Sequence, residues 1–492
     1  MRKNGILMPI FSLPSPHGIG TFGKAAFEFV DFLNKGAQSL WQILPLNPTN
    51  FGDSPYQSFS SFAGNPYFID LDLLTDEGLL TASEIESFDF GNDPESIDYE
   101  KLYNTRYKAL KIAFDRFKKD KKYSEFTAEN AYWLDSYALF MAIKSANGGK
   151  AWYEWDSAFK KSEPAALSKA QGELAEDIEF HKFLQFKFNE QWFLLKEYAN
   201  QNGVEIIGDI PIYVALDSAD VWASPEQFLL NDDYTPKAVA GVPPDAFSSD
   251  GQLWGNPLYD WKYMKKTVYS WWKQYLGHAL KMYDTVRIDH FRGFESFFAI
   301  PYGDADAKGG KWVKGPDTDL FKALRAEFGK NLPIIAEDLG IITPKVRKML
   351  KATGFPGMKV LQFAFDGDSD NTYLPHNLES NCVIYTGTHD NDTIMGWLES
   401  SNRDTVKQAK NYFNYQDNNG FNWAMMKAAM ASVADTCILM MGDLLGLDSS
   451  GRINTPSTLG NNWKWRIKRE CINDWLAEIL KENTQLYGRQ NK

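Results

Sequence analysis

Eight short apolar segments, spread along the whole chain, constrain the fold more than any other feature of this sequence. They lie at residues 5–11, 40–46, 204–214, 285–290, 332–337, 358–365, 383–388 and 437–442. Continuous apolar runs of this length, bounded by Gly, Pro or acidic residues, are typical of parallel strands that are covered on both faces. Helical patterns separate several of them, such as Ala26, Phe27, Val30 and Leu33 after the first. Repeated strand-then-helix units predict an α/β fold, and eight of them predict a (β/α)8 TIM barrel.

The length of 492 residues exceeds the roughly 250 that such a barrel typically needs. Most of the excess lies at residues 47–203 and 215–283. The first stretch carries two apolar stripes at helical spacing. The stripes are Tyr103, Tyr107, Leu110, Phe114 and Phe117, and Phe180, Leu184, Phe188, Trp192 and Leu195. We therefore predict a single catalytic barrel domain over 1–492, with large, mainly helical insertions around its C-terminal face.

Charge and cysteine content exclude several classes of protein. The net charge of −12 argues against nucleic acid as a partner, because such a protein presents a basic face. No apolar run reaches the roughly 18 residues that a membrane span would need. The 3 cysteines are an odd number spread through a long chain, so they do not suggest a disulfide framework. A reducing cytoplasm is the simplest expected location.

Carboxylates follow five of the eight apolar segments, at the ends that should meet at one face of a barrel. A single such Asp is often only a helix cap, and we favour that interpretation for the last of them. Five together are too many for caps alone. The five are Asp209, Asp289, Glu337, Asp390 and Asp443.

Converging carboxylates are typical of metal binding, of proton transfer or of glycosidic bond cleavage. The metal motifs are missing, since there is no His-Glu-x-x-His, and residues 366–371 resemble a calcium loop without its glycine or closing glutamate. We therefore expect no metal and no other cofactor. Glycoside cleavage instead needs two carboxyl groups in different protonation states, one to attack the sugar or activate water and one to protonate the leaving oxygen.

The neighbours of three carboxylates suggest how these roles divide. Arg287 lies two residues before Asp289, on the same face of a strand, and its charge would keep Asp289 ionised as a nucleophile. Glu337 follows Ile-Ile-Ala, where partial desolvation would raise its pKa and suit a general acid. Asp390 is then expected to bind sugar hydroxyls and stabilise positive charge. Two histidines are the expected hydrogen-bonding partners of these hydroxyls, His290 and His389.

Ordered motifs over nearly the whole chain resemble the amylomaltases, or 4-α-glucanotransferases, of glycoside hydrolase family 77 in the α-amylase superfamily. They include Trp41-Gln-Ile-Leu-Pro-Leu, Ser54-Pro-Tyr-Gln-Ser-Phe, Gly208-Asp-Ile-Pro, Gly251-Gln-Leu-Trp-Gly-Asn-Pro, Arg287-Ile-Asp-His-Phe-Arg-Gly, Trp312-Val-Lys-Gly-Pro, Ala336-Glu-Asp-Leu-Gly and Gly387-Thr-His-Asp-Asn-Asp.

The resemblance implies a retaining transfer of an α-1,4-glucan segment to the 4-hydroxyl of another glucan, maltooligosaccharide or glucose. It implies Asp289 as nucleophile, Glu337 as acid/base and Asp390 as transition-state stabiliser. It also implies a set of sugar-binding residues: Tyr56, Asp209, Trp254, Arg287, His290, His389 and Asn461. Asn461 and Trp463 match the family pattern more weakly, and the alternative is that they support the site without contacting the sugar.

Two departures from the family pattern affect this expectation. Ala246 stands where some relatives have tyrosine, so a stacking contact with the acceptor glucan is either absent or supplied by Phe247. Ser457 stands where relatives often have glycine, which affects local backbone geometry. The loop at 241–257, which contains Phe247 and Trp254, is the predicted active-site lid that disfavours water.

Two other functions compete with a transferase. One is a retaining α-glucan hydrolase of similar fold, which would only shorten maltotriose, whereas a transferase would also make longer products. The other is a catalytically silent glucan-binding protein, for which a Glu337→Gln change would leave every property on glucans unaltered.

Overall fold

The computed structural model describes residues 2–50, 52–244, 248–416 and 420–490. Within these residues the strands, in chain order, are β1 (Lys3–Leu7), β2 (Leu40–Gln42), β3 (Glu205–Ile210), β4 (Ala238–Val242), β5 (Gln252–Pro257), β6 (Thr285–Ile288), β7 (Ser296–Pro301), β8 (Lys311–Lys314), β9 (Ile334–Ala336), β10 (Gly357–Val360), β11 (Cys382–Tyr385) and β12 (Thr436–Met440).

Eight of these strands close into a barrel in the order β1-β2-β3-β6-β9-β10-β11-β12, and β12 pairs with β1. All neighbouring pairs are parallel. Each barrel strand overlaps one predicted apolar segment in the sequence, so the predicted TIM barrel is confirmed. The strands are shorter than the segments because the last residues of several segments leave the ladder and form the mouth of the barrel.

Helices lie between the barrel strands and in the long connections. In the described part of the chain they are α1 (Lys24–Lys35), α2 (Leu71–Asp76), α3 (Ala82–Glu86), α4 (Tyr99–Arg116), α5 (Lys121–Glu129), α6 (Ala131–Ala146), α7 (Ser157–Lys160), α8 (Pro164–Glu173), α9 (Ala175–Gln201), α10 (Ala219–Ala223), α11 (Trp261–Lys266), α12 (Ser270–Met282), α13 (Thr318–Phe328), α14 (Pro344–Thr353), α15 (Ile394–Ser400), α16 (Arg403–Tyr412), α17 (Phe421–Ala431), α18 (Met441–Leu444) and α19 (Asp474–Leu486).

The connection at 47–203 is helical, as predicted, and contains α2 to α9. The second apolar stripe lies on α9, where every one of its five members is buried. The first stripe is wrong at one position, because Tyr103 is 70% exposed and α4 instead buries Leu102, Arg106 and Ala109. Aromatic spacing alone did not reveal which face of α4 meets α9. That the whole chain is one catalytic domain stays a prediction.

The connection at 215–283 contains strands in addition to α10, α11 and α12, and these strands were not among the predicted ones. It contains β4 and β5, and these join β7 and β8 in an antiparallel sheet of order β5-β4-β7-β8. Of the predicted loop at 241–257, the first two residues end β4 and the last six form β5. Short strands with glycine in them carry little periodic signal, and only their partner strands identify them.

Candidate active site

The carboxyl ends of neighbouring parallel strands carry the predicted site residues. Asp209 lies in β3, Arg287 lies in β6, and Glu337 directly follows β9. The register between β3 and β6 places Asp209 opposite Arg287. Because these three strands are neighbours in the barrel, their side chains meet at one mouth of the barrel.

Arg287 bridges two of the carboxylates. One terminal nitrogen donates to both oxygens of Asp209, at 2.7 and 2.6 Å, and the other donates to Asp289 at 2.8 Å. Burial disfavours the charged guanidinium, but the charges of Asp209 and Asp289 outweigh it and hold the pKa of Arg287 well above its ordinary value. The contact with Asp289 that the two-residue spacing predicted is therefore present, and the arginine is a fixed positive charge beside this carboxyl group.

Asp209 is fully buried and connects Arg287 to an aromatic cluster on the other side. The Tyr56 hydroxyl donates to Asp209 at 2.7 Å and lies 3.4 Å from Nδ1 of His389. The Tyr56 and His389 rings stack, with centroids 5.1 Å apart. Burial raises the pKa of Asp209, while the charge and hydrogen bonds of Arg287 oppose this rise and favour the carboxylate. Asp209 therefore connects Arg287 and Tyr56 in one hydrogen-bonded network.

Glu337 has the environment of a protonated acid. Its side chain accepts backbone N–H groups of His290 and Leu339, each at 2.7 Å, which fixes both oxygens. Burial, and next the negative charge of Asp289, raise the pKa of Glu337 to about 8, although Arg287 and the Leu339 hydrogen bond lower it. The direction predicted from the apolar residues before Glu337 is confirmed. The two carboxyl groups thus have the different environments that an acid and a nucleophile need.

His290 combines an unusual backbone with an unpaired buried nitrogen. Its φ of 49° lies in the left-handed region, which turns the chain sharply just after Asp289. The Trp254 ring meets the His290 ring edge-on, with centroids 4.9 Å apart. Burial lowers the pKa of His290 to about 4, so the ring is neutral at pH 7. Its Nε2 is buried without a hydrogen-bond partner, and it is therefore available to a ligand hydroxyl.

Asp390 is more open than the other carboxylates, with 46% of its side chain exposed. Asn454 donates to one of its oxygens at 2.6 Å, and His389 Nε2 lies 3.4 Å from the other. Arg452 donates to the Asp390 backbone oxygen at 3.0 Å. Asn454 was not among the predicted site residues, because nothing in its local sequence pattern links it to a carboxylate 64 residues away.

Asp443 is buried away from solvent and serves a structural purpose. Its two oxygens accept the Thr386 hydroxyl at 2.6 Å and the backbone N–H of Ile394 at 2.7 Å. Ile394 is the first residue of α15, but the N-cap of that helix is Thr393 and Asp443 itself lies inside α18, so the helix-cap interpretation of Asp443 is wrong, although its contacts are structural. The same contacts hold both ends of the loop that carries His389 and Asp390.

The roles of two residues expected to bind sugar, Asn461 and Phe247, stay predictions. Asn461 is exposed and lies two residues before the buried Trp463. Phe247, like Ala246, lies outside the described residues. Trp463 lies in the aromatic cluster, with its ring centroid 5.9 Å from those of Tyr56 and His389. Ser457 has a φ of 63°, so the departure from glycine does fall at a left-handed backbone position.

Over 2–50, 52–244, 248–416 and 420–490, no group of three or more His, Cys, Asp or Glu side chains has the arrangement of a metal site. No helix within those ranges is both long and apolar enough to cross a bilayer.

Comparison with known proteins places this geometry in one family. A family model described as 4-alpha-glucanotransferase, glycoside hydrolase 77, matches residues 8–472. The chain is 49% identical over 486 residues to a 4-alpha-glucanotransferase of Clostridium butyricum, covering 98% of this chain and 100% of that protein. It is 44% identical to the 4-alpha-glucanotransferase of Thermus thermophilus, with 95% of each chain covered.

Solved structures agree with this result. An amylomaltase from Streptococcus agalactiae in complex with acarbose is 44% identical, with a TM-score of 0.97 and 100% of both chains covered. An amylomaltase from Corynebacterium glutamicum is only 19% identical, and its TM-score of 0.78, over 99% of this chain and 74% of that one, shows a shared fold. With a matching family model and close relatives along its full length, the chain belongs to glycoside hydrolase family 77, the 4-alpha-glucanotransferases.

Proposed function

We propose that the protein transfers a segment of an α-1,4-glucan to the 4-hydroxyl of another glucan or of glucose, by a double displacement at Asp289 and Glu337. The observation that carries the proposal is the contrast between the two carboxyl groups. Asp289 is paired with Arg287 at 2.8 Å, whereas burial raises the pKa of Glu337 to about 8. A retaining mechanism needs this combination of an ionised nucleophile and a protonated acid.

In the first step, an Asp289 oxygen attacks the anomeric carbon as the glycosidic bond breaks. Glu337 gives its proton to the leaving oxygen, which departs as the 4-hydroxyl of the released sugar chain. The result is a β-linked glycosyl ester on Asp289 and an ionised Glu337. Asp390, held by Asn454 at 2.6 Å, binds hydroxyls of the reacting sugar and stabilises the positive charge that develops on it.

The change of role by Glu337 follows from its electrostatics. The Asp289 charge is one of the causes of the raised Glu337 pKa. Once Asp289 is an ester that charge is gone, so the pKa of Glu337 falls and the group becomes a competent base. It then takes the proton of the incoming 4-hydroxyl, which attacks the anomeric carbon and releases Asp289. The new bond again has the α configuration.

Several neighbouring side chains would bind the sugar in these steps. The neutral His290 offers its unpaired Nε2 to a hydroxyl, and Trp254 packs against that ring. Tyr56 and His389 form the stacked wall on the other side of the site. Trp254 of β5 contacts His290, and we propose that the segment 241–257, which contains Trp254, is the lid that disfavours water as acceptor.

Product analysis after incubation with pure maltotriose tests the proposal. Transfer gives glucose together with maltodextrins longer than maltotriose. A product mixture that contains only shorter sugars would contradict transfer and support the hydrolase alternative. Glu337→Gln removes the acid, and we expect a rate loss of about 10²-fold or more with glucan binding retained. Asp435→Asn, a carboxyl beside the start of β12, is the matched control and should keep full activity.

A further inference from the structure

The Trp312-Val-Lys-Gly-Pro motif has no role in the chemistry above, yet it places a large exposed aromatic ring near the site. Trp312 lies in β8, at the edge of the second sheet, directly opposite Phe298 of β7. It is 40% exposed, whereas Phe298 is 5% exposed. Indole rings are usually more buried than this, so the exposed surface of Trp312 needs an explanation.

The motif is packed against the turn that follows Asp289. The N–H of Gly315 donates to the backbone oxygen of Glu295 at 2.9 Å, and that of Asp317 donates to Phe294 at 2.8 Å. Gly315 approaches so closely that a Cβ there would lie 2.3 Å from the Phe294 backbone oxygen. Phe294 ends the short 3-10 helix that begins two residues after Asp289. The position of Trp312 is therefore fixed relative to the nucleophile.

Arg292 connects Trp312 to the loop after Glu337. Its guanidinium carbon lies 3.6 Å from the centre of the Trp312 ring, and one of its nitrogens donates to the Ile341 backbone oxygen at 2.6 Å. Ile341 comes four residues after Glu337 and is itself 53% exposed. The guanidinium covers one face of the indole, and Phe298 meets the ring at 5.1 Å and 62°. Because Arg292 covers one face of the indole, a ligand can reach Trp312 only on the part of the ring that the guanidinium leaves open.

We propose that this open part of the Trp312 ring binds a glucose unit of the acceptor chain, beyond the unit that forms the new bond. The inference rests on the proposed function. In that function the acceptor chain takes the place of the leaving chain, so it binds on the same side of the scissile bond as Glu337. Arg292 stands between Trp312 and the loop after Glu337, which sets Trp312 further out than the first acceptor unit. A rigid aromatic face offers a large contact area at a low cost in conformational entropy, which suits the apolar face of a pyranose.

The acceptor dependence of the second half-reaction tests this site. With α-maltosyl fluoride as donor and fluoride release as the readout, cleavage of the same donor is followed whether the acceptor is glucose or maltotetraose. In Trp312→Ala we expect the KM for maltotetraose to rise at least about fivefold, and the KM for glucose to change less than about twofold. Trp312→Phe keeps an aromatic face and should recover most of the loss.

Two controls separate this role from support of Arg292. Trp475→Ala removes a Trp that is 72% exposed on α19 and should change neither KM. If Trp312 only supports Arg292, the Trp312→Ala variant should lose activity equally with glucose and with maltotetraose. Trp312→Leu still covers the guanidinium and should then restore activity with both acceptors. That pair of results would overturn the proposal. An unchanged maltotetraose KM in Trp312→Ala also overturns it. Failure of the proposed function would look different, since no acceptor would then be glycosylated by the wild-type protein.

Discussion

Removing the charge of Asp289 is expected to lower the pKa of Glu337, which is raised to about 8 in the folded protein. Burial is the largest cause of this rise, and the Asp289 carboxylate is the next. Asp289→Asn keeps the size of the side chain and an oxygen that can accept the Arg287 hydrogen bond, which is 2.8 Å long. The substitution therefore removes the charge with little change in packing.

The expected size of the effect follows from Coulomb's law. Retention requires the two carboxyl groups to be about 5.5 Å apart. The interaction energy of two unit charges about 5.5 Å apart is about 3 kcal/mol at an effective dielectric constant of about 20. That energy corresponds to about two pKa units. Burial remains in the variant, so the pKa of Glu337 should stay above the ordinary value of a glutamic acid.

Infrared difference spectroscopy measures this shift directly. The carboxyl band of Glu337 is followed against pH in Asp289→Asn, and the spectrum of the same variant carrying Glu337→Gln is subtracted. Asp390→Asn is the control, because it removes a carboxylate that is held by Asn454 rather than by Arg287. A Glu337 pKa that is the same in Asp289→Asn as in the control would refute the electrostatic account of its change from acid to base.

Three further substitutions test the support of the site and the backbone. Asn454→Ala removes the 2.6 Å hydrogen bond to Asp390, and steady-state kinetics should show kcat reduced by roughly tenfold or more; an unchanged kcat would contradict a positioning role. Burial raises the pKa of Asp443 to about 7, so the folded state retains a proton that the unfolded chain has lost, and the free energy of unfolding falls as pH rises from about 4 to about 7. In urea titrations, the free energy of unfolding of Asp443→Asn should no longer depend on pH in this range. At pH 8 it should exceed that of the wild type by on the order of 3–4 kcal/mol. If the free energies of unfolding of the variant and the wild type changed with pH in the same way, this account of Asp443 would be wrong. Ser457→Gly, at a φ of 63°, should raise the free energy of unfolding by up to about 1 kcal/mol, and a decrease in the urea midpoint would show that the left-handed backbone is not strained.

The barrel strands and their terminal carboxylates were predictable because both are local signals. A buried parallel strand is apolar on both faces, so each barrel strand is visible as a run of apolar letters. The two-residue spacing of Arg287 and Asp289 predicted their contact, which is observed at 2.8 Å. The apolar residues before Glu337 predicted the direction of its pKa shift, because desolvation of a carboxyl group always raises its pKa.

The second sheet was not predictable in the same way. Its strands β4 and β5 lie in a stretch interpreted as a loop among helices, and β4 also pairs with β7, which is far along the chain. Pairing across such distances depends on the complete fold, since isolated short strands have no stable structure of their own. The exposure of Tyr103 on α4 likewise depends on the complete fold, because packing against α9 determines which face of α4 is buried.

The sequence by itself determined the barrel, the order of its carboxylates and the family to which the chain belongs. Only the tertiary structure decided how those groups are connected. Arg287 binds Asp209 as well as Asp289 because the register of two neighbouring strands sets the residues side by side. Asn454 reaches Asp390 only once a distant segment folds over the barrel mouth. Contacts of this kind are made between residues far apart in sequence, and their geometry exists only after the chain has packed.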